Sequence, residues 1–165
     1  MNNESFTADL IGVIETGVFK TEHVFGTQSD VLGVLTLNAG KTKGTYTGLE
    51  DLSLIFEKIS FWKSQYELKQ EGAVIASAAP RGGLSRVSII TFEDEPYALL
   101  PGKGITRSWT LKNSQDQVLC EFKPRGIFKR GAMLRILNQI SISLLVFSYC
   151  LVSKKWQEQS AAGAS

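Results

Sequence analysis

Few side chains in this sequence are placed to do chemistry. His23 is the single histidine. It sits in the alternating run His23-Val24-Phe25 and reads as an ordinary strand histidine, not a general base. No Gly-x-Ser-x-Gly, His-Glu-x-x-His or Cys-x-x-Cys occurs. Glu93-Asp94-Glu95 sets three carboxylates in a row before Pro96. A calcium loop needs oxygen ligands at alternate positions, so the triplet reads as a solvated turn. Gly40-Lys41-Thr42 has the last residues of a phosphate-binding loop. However, Leu35 stands where such a loop needs glycine, and Gly44, Thr45 and Thr47 follow where a helix N-terminus should cradle the phosphate. That stretch reads as a hairpin turn leading to a strand, and Pro101-Gly102-Lys103-Gly104 as a turn too. Cys120 and Cys150, the two cysteines, form neither a disulfide framework nor a metal site. No catalysis, metal or cofactor is expected.

Positive charge does accumulate. Lys123, Arg125, Lys129, Arg130 and Arg135 follow one another with no acid after Glu121, and Arg81 and Arg86 form an earlier group. Clustered Lys and Arg attract anionic headgroups, at about 1 kcal/mol for each residue near the surface. Arg can also grip a phosphate through two parallel bonds. The competing reading is that strand ends carry basic side chains for solubility and edge protection. The net charge is only +2, and only Phe122 and Phe128 interleave with the main basic run, so nucleic acid is not the expected partner. The expected partner is an anionic phospholipid membrane surface or a protein. Lys123, Arg125, Lys129, Arg130, Arg81 and Arg86 are the candidate headgroup-binding residues.

The elements that must position these cations read as short strands. Val13-Ile14, Val18-Phe19, His23 to Phe25, Val31 to Leu37, Ser53 to Ile59, Ser64 to Leu68, Val74 to Ala76, Val87 to Phe92, Ser108 to Leu111 and Val118 to Phe122 alternate or are β-branched, with Gly, Asn and Asp between them. A repeat underlies the pattern. Tyr66-Glu67-Leu68-Lys69 aligns with Trp109-Thr110-Leu111-Lys112, Val74-Ile75-Ala76 with Val118-Leu119-Cys120, and Pro80-Arg81-Gly82 with Pro124-Arg125-Gly126, at an offset of 43 or 44 residues. Arg86 and Arg130 fall at matching places. A fainter copy runs through His23-Val24-Phe25, Val31-Leu32-Gly33 and Lys43. Each copy buries its apolar face only beside its neighbours. Three units of about four strands give some twelve strands, whose edges are removed only by closure into a barrel.

A barrel that wide needs a filling. From Met133 to Val152 the chain reads MLRILNQISISLLVFSYCLV, with no charge between Ile136 and Ser153. Asn138, Gln139 and several serines favour protein surroundings over lipid, since short Ser side chains can bond back to the preceding helical turn. The expected organisation is a flexible N-terminus over 1–9, one β-barrel domain over 10–156 with a central helix over 133–153, and a disordered tail over 157–165. The alternatives are a tail anchor with 136–152 crossing a membrane, or a carrier barrel holding a small apolar ligand with the helix outside. The N-terminus lacks the basic region of a secretory signal, so a cytoplasmic monomer that can associate peripherally with membrane is expected.

A chain of β-hairpin repeats ending in one very apolar helix resembles the tubby C-terminal-like superfamily, which includes tubby domains, LURP-one-related proteins and phospholipid scramblases. The paired repeats, Trp109-x-Leu111 with Val118-Leu119, and Ile140 to Val152 carry the resemblance over roughly Val13 to Lys155. It implies a twelve-stranded barrel threaded by a hydrophobic C-terminal helix, and phosphoinositide-like headgroups held by surface Lys and Arg. The Cys-rich strand segments of scramblases are absent.

Overall fold

The computed structural model describes residues 9–60, 62–83, 85–103, 106–126 and 129–163. Twelve strands, each antiparallel to its neighbours, follow one another around a closed barrel: β1 Leu10–Thr16, β2 Thr21–Gly26, β3 Val31–Leu37, β4 Lys43–Gly48, β5 Ser53–Lys58, β6 Tyr66–Gln70, β7 Ala73–Pro80, β8 Ser88–Phe92, β9 Glu95–Pro101, β10 Trp109–Lys112, β11 Val118–Pro124 and β12 Gly131–Ile136. β1 closes the ring by pairing with β12, from Leu10 opposite Arg135 to Ile14 opposite Gly131. No strand edge is left open, as the strand count requires.

The repeat is visible in the register. Ladder irregularities occur at Phe25/Gly26, Leu68/Lys69 and Leu111/Lys112, each 43 residues after the last. A bulge adds twist and bends a strand, so three bulges at equal intervals curve the wall evenly. His23, Tyr66 and Trp109 open the units as buried residues, with buried Phe25, Leu68 and Leu111 two positions on. The barrel is therefore three four-stranded units, β2–β5, β6–β9 and β10–β12 completed by β1.

The expected strands are largely present, with β4 the strand to which the Gly40-Lys41-Thr42 turn leads, but β9 and β12 have no expected counterpart, and Val18-Phe19 lies in a connection. β4 contains two glycines. At Gly44 the reason is close approach: a Cβ would lie 2.5 Å from Leu37 Cδ2 and 2.6 Å from the Thr36 carbonyl oxygen.

The helix, α1, spans Ile142–Gly163, which corrects both of its expected bounds. Met133 to Ile136 belong to β12, where Ala132, Leu134 and Ile136 are buried and Arg135 is exposed. That alternation satisfies their backbone through β1 on one side and β11 on the other. Ser141 caps the helix, its hydroxyl accepting from the Leu144 amide at 3.2 Å. Every residue from Ser143 to Ser153 is buried, about 17 Å of helix enclosed on all sides. Phe147 meets Phe56 of β5, and Tyr149 meets Phe25 of β2. The helix packs on both β5 and β11, which are diametrically opposite in the ring. It therefore lies along the barrel axis, where a carrier would keep its ligand. Ser148 donates to the Leu144 carbonyl at 2.8 Å, the back-bonding expected of a buried serine. Each large helix side chain removed from water contributes about 1.5–3 kcal/mol. Among the described residues, no helix is long and apolar enough to cross a membrane.

Residues 157–163 of the segment expected to be a disordered tail continue the helix instead, and 164–165 lie outside the described residues. Gln157 donates to the Ala39 carbonyl at 2.7 Å, Lys154 to the Gly40 carbonyl at 2.8 Å, and the Trp156 indole to the Arg107 carbonyl at 2.6 Å. At the other terminus, the Asp9 carbonyl accepts from the Ile136 amide, and residues 1–8 of the expected flexible segment lie outside the described residues.

Candidate functional site

Antiparallel order sends alternate connections to the same end of the barrel. At the end where the helix emerges lie the turns 17–20, 38–42, 59–65, 81–87, 102–108 and 125–130. They carry ten cations, Lys20, Lys41, Lys63, Arg81, Arg86, Lys103, Arg107, Arg125, Lys129 and Arg130, and no Asp or Glu. At the end where the helix enters lie 27–30, 49–52, 71–72, 93–94, 113–117 and 137–141. They carry seven acids, Asp30, Glu50, Asp51, Glu71, Glu93, Asp94 and Asp116, and no Lys or Arg. The barrel has a basic rim and an acidic rim. The helix dipole runs in the opposite sense, its positive end among the acids and its negative end among the cations, which is the favourable pairing. Its influence fades within about one helical turn, however, and does not account for charge spread around both rims.

Five of the six expected headgroup residues lie on the basic rim, Arg81 and Arg86 in one turn and Arg125, Lys129 and Arg130 in another. The 102–108 turn sits between them. Lys123 is exposed on the outer wall, in β11 opposite Met133. Lys20, Lys41, Lys63, Lys103 and Arg107 were not singled out by sequence. Their signal was available, since every second turn is basic and the turns between are acidic.

The cations have different surroundings. Arg130 turns onto the rim of β1, donating to Glu15 Oε1 at 2.9 Å and to the Gly17 carbonyl. Lys41 donates to Ser153 of the helix at 2.6 Å and lies 3.8 Å from the Glu15 carboxylate. Burial lowers its pKa from the ordinary lysine value, against the pull of Glu15. Arg86 and Lys155 both stand over the buried Trp109 ring, 5.6 and 4.9 Å from its centroid. Lys20, Lys63, Arg81, Lys103, Lys123 and Lys129 are exposed. Outside the turns this end does carry acids: on the strand walls Glu15 pairs with Arg130 and Lys41, and Glu57 with Lys69 at 2.6 Å, while Glu158 on the emerging helix acts on Tyr66 and Lys155.

Just inside the basic rim, His23 is fully buried. Its Nδ1 shares a hydrogen bond of 2.7 Å with the Tyr149 hydroxyl, and its Nε2 one of 2.8 Å with Thr21. Burial is the main cause that pushes its pKa down to about 4. The Glu15 carboxylate opposes this, and Lys41 and Arg130 add to it. Held neutral and enclosed, this imidazole positions the helix against β2. Burial raises both cysteine thiols, Cys120 and Cys150, leaving them unreactive. Among the described residues, no three of His, Cys, Asp and Glu group as metal ligands. Glu93 and Asp94 form the exposed β8–β9 turn, with positive φ at both.

No protein-family model matches the chain, and no curated protein or solved structure matches it.

Proposed function

We propose that this protein is a non-catalytic binding module that docks onto anionic membrane lipid through its basic rim, as the resemblance to the tubby C-terminal-like superfamily also implies. The observation that carries this reading is the complete separation of turn charges between the two ends of the barrel. Small net charge is then no objection. The Debye length is about 8 Å at physiological salt, while the two rims are separated by the enclosed helix, about 17 Å. A negative surface meeting the basic rim is largely screened from the acidic one. The same separation gives the molecule a dipole that turns the basic rim toward an anionic surface before contact.

Arg81, Arg125 and Lys129, with Lys20, Lys63, Lys103 and Lys123 around them, are the residues nominated to meet headgroup phosphates. Arg86 and Arg130 have structural tasks, at Trp109 and Glu15.

The test is sedimentation with phosphatidylcholine vesicles, with and without phosphatidylserine, at several salt concentrations. The native chain is expected to bind only the anionic vesicles. At about 1 kcal/mol per basic residue, the triple variant Arg81→Glu, Arg125→Glu, Lys129→Glu should bind at least about a hundredfold more weakly. Glu71→Lys with Asp116→Lys, at the far rim, should bind like the native chain. Equal binding by the native chain and the triple variant refutes the reading.

A further inference from the structure

Three large apolar side chains among the described residues are exposed beyond four-fifths of their surface: Val18 at 83%, Phe19 at 81% and Trp62 at 90%. All three are on the basic rim, in the 17–20 and 59–65 turns. The acidic rim differs in kind. Leu10, Val31, Leu49, Val74 and Leu137 there are aliphatic and exposed by 40% to 59%, close to carboxylate-bearing turns.

Each apolar tip is followed directly by a lysine, giving Val18-Phe19-Lys20 and Trp62-Lys63. A soluble anion, such as a free inositol phosphate, satisfies the lysines and offers nothing to the aromatic rings. An anionic bilayer offers both, with phosphates at the surface and hydrocarbon just below it. In that zone aromatic rings sit at headgroup level while lysine ammonium groups reach back to the phosphates. The two tips are four strand spacings apart around the ring, about 19 Å along the wall, so they form separate points of contact on one rim and not one pocket.

We propose that the Val18-Phe19 and Trp62 tips insert into the headgroup and upper acyl region of an anionic bilayer, so that the barrel stands on its basic rim with its axis across the membrane plane and its acidic rim facing away. This rests on the lipid-binding reading and extends it from surface attraction to penetration. Attachment is then partly electrostatic and partly apolar, so salt weakens it without abolishing it.

The chain contains its own reporter. Of its three tryptophans, Trp109 and Trp156 are buried and Trp62 is exposed. The experiment follows tryptophan emission of the full chain as it is mixed with phosphatidylcholine–phosphatidylserine vesicles, plain or carrying lipids brominated near the headgroup end of their acyl chains. Insertion predicts a blue shift and bromine quenching, both absent in Trp62→Phe, which should still bind. Phe19→Ser and Trp62→Ser should each weaken vesicle binding by about tenfold or more, with unfolding midpoints like that of the native chain. Binding with no change in Trp62 emission overturns insertion and leaves headgroup binding standing. No binding to anionic vesicles overturns both.

Discussion

Acidification should destabilise this fold through one residue before its carboxylates respond. His23 is the only histidine. It is enclosed between β2 and the helix, with Tyr149 and Thr21 on its two nitrogens and Glu15, Lys41 and Arg130 as the charged groups around it. Burial takes its pKa from 6.5 to about 4. An unfolded chain binds a proton on this imidazole below pH 6.5, while the folded chain resists until about 4. The stability from the neutral imidazole is therefore complete above 6.5 and is lost as pH falls toward 4. At 1.36 kcal/mol for each unit, the full loss is roughly 3 kcal/mol. The sign is opposite to that of a histidine gaining a carboxylate partner, because Glu15 is outweighed by burial and by two neighbouring cations. A lone histidine gives a single Cε1–H resonance, so NMR titration reads its pKa directly. Urea unfolding across the same pH range reads the loss, and His23→Gln should remove that part of the pH dependence. A resonance titrating at or above 6.5 in the folded protein refutes the reasoning, as does a native unfolding free energy that is flat over this window.

Other perturbations probe the core. Leu145 is fully buried on the helix, so Leu145→Asp places a carboxylate with no partner inside the barrel and should abolish soluble folding. Leu145→Ala should cost about 2–5 kcal/mol in denaturant unfolding. Soluble, cooperatively unfolding Leu145→Asp protein would mean that the helix is not enclosed. Gly33 faces the Tyr46 ring, and a Cβ there would lie 2.3 Å from its hydroxyl oxygen and 2.7 Å from the Thr47 carbonyl oxygen. Gly33→Ala should therefore lower stability by about 1–3 kcal/mol, read as a fall in the urea midpoint. An unchanged midpoint would show that Tyr46 moves aside at no cost.

The chain alone specified a good deal. The 43-residue spacing of His23, Tyr66 and Trp109 and of the residues two positions after each announces three equivalent units, and an even strand count without edges requires closure. The uncharged run after Arg135 is the only segment that can fill the space. The alternation of basic and acidic turns is also written in the sequence, because a turn's composition is local. Which turns share an end was decided only by antiparallel closure, since a rim is formed by segments far apart in the chain. The same holds for Arg130, whose sequence neighbours suggest a lipid contact while its nearest partners are Glu15 and Gly17, brought there by β1–β12 pairing. Met133 to Ile136 show the limit from the other side. Their apolar character suits helix and strand equally, and the outcome followed from two neighbouring strands with unpaired backbone groups, which hydrogen bonds to β12 satisfied on both sides.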